Sequence, residues 1–385
     1  MAIPTLCNRD AIVANSIVNT FVDNHKLTLS SKKCHQMHVG KPSKFCPVLN
    51  VHEEKMTRCE EEKYLGNILS SSGSNKANTK SRVAKGYGFA AEILSIIKEI
   101  PFGPFQIEVA LKLREAMLIN GSLTNSEVVY GLSNQEISDL QKVNEYLIRQ
   151  IIHADAKICK EILHLETVTL PLSSVIRSRR LSYLKHILSR NDHELIKRVY
   201  VAQKRNPVKN DWVNIVEEDK KIIGLNLTDT QIKEMPDNQY KKILKKKIRE
   251  HAFRNLLSMK ETHSKVVNIQ YSELKIQNYL TDPTFSMSDK ELLLKLRGRM
   301  FFAKANYRNM FVNNLQCDYC SDCDLQTQRH LLEDCDGIIA ECPAVAENIR
   351  VEHDDIFGPV EKQKEVVKLY HKIQETINRI NDTTN

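Results

Sequence analysis

Apolar residues recur at helical spacing through most of this chain and alternate only near its start. Ile12, Val13, Ile17, Phe21 and Val22 form one stripe across residues 8–25, which predicts an amphipathic helix that Asn8 or Asp10 is placed to cap. Two short alternating runs follow, Cys34 to Val39 and Cys46 to Val51, separated by Gly40, Pro42 and Pro47, and they read as strands. A third extended piece ends at Lys63-Tyr64-Leu65-Gly66, and Ser70 to Ser74 reads as a loop. From Asn78 the period is helical. Val83, Phe89, Ala90, Ile93, Leu94 and Ile97 make one face, Pro101-Phe102-Gly103-Pro104 interrupts it, and Ile107 to Ile119 makes the next. Ser133-Asn134-Gln135-Glu136 has capping-box spacing, each side chain satisfying the other residue's backbone N–H, and opens a helix through Ile137, Leu140, Val143, Leu147 and Ile151. Three such helices in succession predict a small bundle.

The middle of the chain continues in this pattern. A helix carrying Arg177, Arg179, Arg180 and Lys185 runs to about Tyr200, and residues 201–236, broken by Pro207, Gly224 and Pro236, read as a linker or a set of short helices. Another helix crowds Lys241, Lys242, Lys245, Lys246, Lys247 and Arg249 at i, i+4 spacings, which stack like charge on like. Ser288-Asp289-Lys290-Glu291 reads as a further capping box, opening a helix with Leu292, Leu293, Leu296 and Met300 inward and Arg297, Arg299, Lys304 and Arg308 outward. At the end, Val366, Tyr370, Ile373, Ile377 and Ile380 mark a helix expected to dock on the body, with self-association as the lesser alternative. The expectation is a mainly α protein with a small antiparallel β element near the N-terminus. Its segments are 1–74, a helical bundle at 75–153, a basic helical region at 154–310, a Cys/His module at 311–345 and a closing helix at 346–385.

Composition narrows the class. With 41% hydrophobic and 27% charged residues the chain reads as ordinary globular protein. No run approaches the length of a membrane span, and Met1-Ala2-Ile3-Pro4 lacks the basic start of a signal peptide. The ten cysteines are scattered apart from one late cluster, which is intracellular usage with reduced thiols; nucleus and cytoplasm are not distinguished. Charge is uneven: residues 151–310 hold 31 Lys and Arg against 18 Asp and Glu, and residues 311–385 hold 7 against 15. A basic middle joined to an acidic end suggests a face for a polyanion, against the plainer reading of a solvated lysine-rich surface.

The cluster carries the clearest chemistry. Cys317 and Cys320, two residues apart, can reach one ion from a single turn, and His330 and Cys335 complete a closed Cys/His set of the kind that holds structural zinc. Cys323 is a spare, either a competing ligand or a free thiol. The alternative, cysteines buried as small hydrophobes, is opposed by Asp318, Asp322 and Asp324 interleaved with the sulfurs. A catalytic zinc is disfavoured because protein fills all four positions.

Several stretches, in order, resemble the C-terminal half of non-LTR retrotransposon reverse transcriptases: Leu27-Thr28-Leu29-Ser30-Ser31-Lys32-Lys33, Met37 to Lys41, Glu62-Lys63-Tyr64-Leu65-Gly66 to Gly73, Arg82-Val83-Ala84-Lys85-Gly86, Leu296 to Met300, and Cys317 to Cys335 with Thr327-Gln328-Arg329-His330-Leu331-Leu332. The resemblance implies the end of a palm with Lys33 as its motif lysine, a primer-gripping hairpin ending at Lys63-Tyr64, a thumb, and a zinc knuckle. It also implies RNA or RNA–DNA hybrid as partner. The departure is catalytic. Polymerisation needs aspartates to hold two metal ions, and the residues before Lys33 form no aspartate-pair turn; Asp10 and Asp23 stand alone, and Asp354-Asp355 reads as an exposed acidic loop. A truncated, catalytically incompetent protein is therefore expected, with Mg relevant only beside a separate catalytic palm. Phosphate contacts are expected from Lys63, Tyr64, Arg82, Lys85, Arg177, Arg179, Arg180, Lys185, the lysines and arginine of 241–249, Arg297 and Arg299. Two rivals stand beside this: a polymerase piece active only on mixing with its palm, and a zinc-stabilised helical interaction protein without a nucleic-acid role.

Overall fold

A computed structural model describes all residues except 1, 6, 41–46, 101–104, 130, 210, 260–274, 308–309, 312–313, 321–324, 348–350 and 385. Cys46, the Pro101–Pro104 break, Arg308 and Cys323 thus lie outside the described residues. The chain is mainly helical with a small β element near its start.

Helix α1 (Asn8–Asn24) forms where its stripe predicts, but starts after Cys7 without a side-chain cap. Its stripe is not covered: Ile12, Val13, Ile17 and Phe21 are exposed and only Val22 is buried. The β element is three two-stranded pieces. Strands β1 (His35–Gln36) and β4 (Thr57–Arg58) pair in parallel, β2 (Asn50–Val51) and β3 (Glu54–Lys55) antiparallel, and β5 (Glu61–Tyr64) and β6 (Asn67–Ser70) form a hairpin. Leu65 and Gly66 at the hairpin tip both have positive φ, 47° and 83°, which is the twist a two-residue loop needs. The Lys-Tyr-Leu-Gly stretch is therefore a true hairpin turn.

Helix α2 (Lys76–Glu99) packs on α3 (Phe105–Leu113), on a π-helical turn (Arg114–Ile119) that leads into α4 (Asn120–Ser122), and on α5 (Asn134–Ile151). The Ser133/Glu136 capping box that opens α5 is formed. Next come α6 (Lys160–Thr167), α7 (Leu172–Leu188) and α8 (Leu195–Arg205), so the helix expected to run to Tyr200 is broken in two. The 201–236 stretch resolves into short helices, α9 (Trp212–Ile222) and α10 (Asp229–Glu234), ahead of α11 (Asp237–Ser258). Helices α7 to α11 enclose a core of Leu181, Leu184, Trp212, Val216, Ile232, Tyr240 and Leu244.

After α12 (Asn278–Thr281), helix α13 (Met287–Arg297) is opened by Ser286 with Asp289, two residues earlier than Ser288-Glu291 predicts. Helices α14 (Gln328–Glu333), α15 (Asp336–Glu341), α16 (Pro343–Ala346) and α17 (Val360–Thr384) close the chain. Val366, Tyr370, Ile373 and Ile377 of α17 are buried against this body, so its apolar stripe is covered within the chain. One continuous cluster joins Ile93, Leu147, Leu293, Cys317, Leu331, Cys335 and Tyr370. Cys317 and Cys335 are thus built into the main core, which they share with the bundle.

Candidate metal centre

Local structure brings the four donors together. Backbone pairing of Gln316 with Leu325 closes a short loop carrying Cys317 and Cys320. Thr327 caps α14 by accepting from the His330 N–H at 3.0 Å, which sets His330 in the first turn. Cys335 is the N-cap residue of α15, and its N–H bonds the His330 carbonyl at 2.9 Å. Cys317 Sγ lies 3.6 Å from Cys335 Sγ, and Cys320 Sγ lies 3.3 Å from His330 Nε2. All four donor atoms fall within 4.8 Å of one another. A tetrahedral ion with bonds of about 2.3 Å to sulfur and about 2.0 Å to nitrogen spaces its donors roughly 3.5–3.8 Å apart, so Cys317, Cys320, His330 and Cys335 could hold a metal ion such as zinc. Burial, followed by the sulfurs of Cys317 and Cys320, pushes the Cys335 thiol up to about 12. A bound cation reverses that balance, since cysteines ligate as thiolates and release their protons.

The support around the donors was not legible in the sequence. Buried Lys304, expected to point outward, reaches in to the Gln316 carbonyl at 2.9 Å and to the Asp318 carboxylate, fixing the cysteine loop. Gln326 directs its amide Nε2 at Cys317 Sγ from 3.9 Å. A Cβ at Gly337 would sit 1.5 Å from the Tyr319 carbonyl oxygen, so α15 can cross the cysteine loop only at a glycine. The single signal for this was a glycine two residues after Cys335. Tyr319, the one aromatic in the loop, is half-buried and packs against the core, and burial raises its phenol. Asp354 and Asp355, expected as loop, sit in a 3-10 turn (His353–Phe357), where the Asp355 side chain caps Glu352 N at 3.0 Å.

The basic residues divide sharply. Arg177 and Arg180 meet buried Asp219 at 2.9 and 2.7 Å. Arg179 donates to the Leu123 carbonyl at 2.6 Å and to Asn120 Oδ1 at 2.7 Å. Lys185 is buried and donates to the Ile232, Lys233 and Met235 carbonyls at the end of α10. Arg82 is buried and joins the Ser122 carbonyl to Asn67 Oδ1 beside the hairpin tip. Arg297, 2% exposed, meets Glu166 at 2.7 Å and the Ile356 carbonyl at 2.7 Å. These six, expected as phosphate contacts, direct their donors inside the protein because each would otherwise be a buried unpaired charge. Lys241, Lys242, Lys245 and Lys246 on α11 are exposed, with Lys247 and Arg249 half-buried. Among the described residues, only Lys246 of the five lysines has an acidic partner, Glu250 at 3.8 Å. Arg254, exposed further along α11 and on another side of the helix from Lys241 and Lys245, was missed by reading the lysine run alone. Lys33, Lys63 and Lys85 are exposed on the 3-10 turn Ser31–Lys33, β5 and α2, Tyr64 is half-buried, and Arg299 is half-buried beyond α13. No helix among the described residues is long and apolar enough to cross a membrane.

Compared with protein-family models, curated proteins and solved structures, the chain finds no match.

Proposed function

We propose that this is a zinc-stabilised helical protein that binds RNA, or an RNA–DNA hybrid, through the phosphate backbone along the exposed lysine face of α11, and that alone it catalyses nothing on the strand. One observation carries the reading. Lys241, Lys242 and Lys245 stand on one exposed face at i, i+1 and i+4 with no acidic partner among the described residues. Such stacking of like charge disfavours the helix unless an anion relieves it. Successive turns separate Lys241 from Lys245 by about 6 Å of axis, a spacing at which lysines can follow a charged strand. The sequence resemblance supports RNA over other polyanions. The Cys/His centre acts as structural zinc: the donor set is closed, lies in the core, and offers no open position for a substrate.

The test is RNA affinity across a salt series on zinc-loaded protein. Each single-strand phosphate contact contributes about 0.7 to the slope of log K against log salt. Lys245→Glu with Lys246→Glu is expected to lower that slope by about 1.4; an unchanged slope would sink the proposal. A second reading draws on α1, whose exposed Ile12, Val13, Ile17 and Phe21 suit a packing partner. There the chain works beside a separate palm that brings Mg. Polymerase activity on mixing, absent from either piece alone, would establish that reading over the first.

A further inference from the structure

A cavity of about 270 Å³ opens beside α14, separate from the four metal donors and lined by Arg299, Asn306, Gln328, Arg329, His353 and Asp354 among others. Three features of its wall are unusual together.

The first is Arg299. Helix α13 ends at Gly298, but the left-handed residue that commonly follows a helix falls one position later, on Arg299 with φ 50°. Gly298 has its own task, since a Cβ there would press on the Leu294 carbonyl at 3.1 Å and meet Ile162 at 3.5 Å. An arginine thus occupies a position that favours glycine, and such strain collects at functional sites. The second is Arg329, held from behind by Glu333. One Glu333 oxygen accepts from Arg329 Nε at 2.7 Å and the other from the His353 backbone N–H at 2.6 Å. The two Nη groups of Arg329 have no partner among the described residues. The third is His353. The Tyr370 hydroxyl has one proton and lies 2.8 Å from the Gln328 carbonyl, which can only accept. His353 Nδ1, 2.9 Å from the same hydroxyl, is therefore the donor to it, and Nε2 carries the lone pair. Burial lowers His353 to about 4 against the opposing charges of Asp354 and Glu333, with Arg329 and Arg299 adding to it, so the ring stays neutral at pH 7.

The wall therefore combines the outer Nη groups of Arg329, the positive charge that Arg299 adds beside them, and two acceptors, His353 Nε2 and the Asp354 carboxylate. A bare anion uses the positive charge and is repelled by Asp354. A ribonucleotide uses both charge and acceptors, its phosphate on the Arg329 Nη groups and its sugar hydroxyls or base N–H groups on the acceptors. We propose that this cavity binds one ribonucleoside phosphate, either a free mononucleotide or the last nucleotide of an RNA strand with its 2′,3′-diol. The site does not depend on the α11 face.

The test is calorimetric titration of the zinc-loaded full chain with each of the four ribonucleoside 5′-monophosphates, their deoxy counterparts and inorganic phosphate. At least one ribonucleotide is expected to bind, about tenfold more tightly than its deoxy form and than inorganic phosphate. Arg299→Gly removes the charge from the wall and relieves the backbone strain, so binding should fall by tenfold or more, and Arg329→Gln, which leaves the Arg299 backbone untouched, should do the same. Asp354→Ala should erase the ribo/deoxy difference. Lys245→Glu with Lys246→Glu should leave mononucleotide binding intact, which separates failure here from failure of the α11 reading. Competition by a short RNA with a free 2′,3′-diol, but not by the same RNA ending in a 3′-phosphate, assigns the strand terminus as ligand; no competition by either assigns the free nucleotide. Equal binding by wild type and Arg299→Gly, or no binding of any ribonucleotide at millimolar concentration, overturns the proposal.

Discussion

Helices α7 and α11 carry comparable runs of basic residues and put them to opposite use. On α7, Arg177 and Arg180 are 14% and 12% exposed and share Asp219, which is itself buried. Arg179 and Lys185 on the same helix cap the carbonyl ends of α4 and α10. On α11, Tyr240, Leu244, Ile248, Ala252 and Phe253 are buried on one side, and the lysines stand in water on the other. The difference lies in the surroundings. Helix α7 is packed by α5, α8, α9, α10 and α11, so almost any position on it meets protein. Helix α11 packs chiefly on α6 and α7, which leaves one face outside. The residue types match these fates, since the planar arginine fork suits a buried carboxylate and the hydrated lysine head suits a surface. A surplus of cations in a linear segment is thus a poor guide to a binding face unless the packing around each helix is known.

The strongest way to break this comparison is Asp219→Ala. It strands two largely buried arginines and is expected to cost about 3–5 kcal/mol in chemical denaturation. A loss below 1 kcal/mol would mean that the α7 cations are solvated after all. Next is the candidate metal centre, whose donors belong with the inward group. Gly337→Ala drives a methyl into the Tyr319 carbonyl, so zinc measured by mass spectrometry should fall from one per chain to none. Chelating zinc from wild type should lower a single melting transition of the whole chain, because Cys317 and Cys335 share the core with Ile93 and Leu147. Two separate transitions would instead mark an independent module.

A smaller effect is acid sensitivity. Burial lowers His164 to about 3 against an unfolded value of 6.5. Between these values the unfolded state binds the extra proton, so the neutral ring supports folding above pH 6.5 and loses that support as pH falls. The stability difference between wild type and His164→Gln is expected to shrink by about 1.4 kcal/mol per pH unit between pH 6 and pH 4. A difference that stays constant across that range would show the ring to be solvated. Smallest of all is the stability change from Lys245→Glu with Lys246→Glu, expected within about 0.5 kcal/mol of wild type, even as the salt slope for RNA drops. A large destabilisation there would place these lysines in the protein's own packing, as on α7.

Periodicity alone was enough to locate most helices and the faces they bury, because a 3.6-residue repeat of apolar side chains is a local property of the chain. The Ser133 cap, the extended piece ending at Lys63-Tyr64-Leu65-Gly66 and the inward stripe of α17 are of that kind, whereas the return strand Asn67–Ser70 that makes the hairpin was not read from the pattern. The candidate Cys/His set is local as well, because two cysteines two residues apart, with a histidine and a cysteine shortly after, can reach one ion from adjoining turns. What only the tertiary structure decided involves residues far apart in sequence. Arg297 lies 131 residues from Glu166, and Arg180 lies 39 from Asp219. Whether such an arginine faces water or a carboxylate depends on which helices close over it. The same holds for α1, whose stripe predicts burial and stays exposed, and for Gly337, which is required only because another segment of backbone crosses it. Local pattern sets what a segment can form; the fate of each charge follows from the dielectric and partners that the assembled fold places around it.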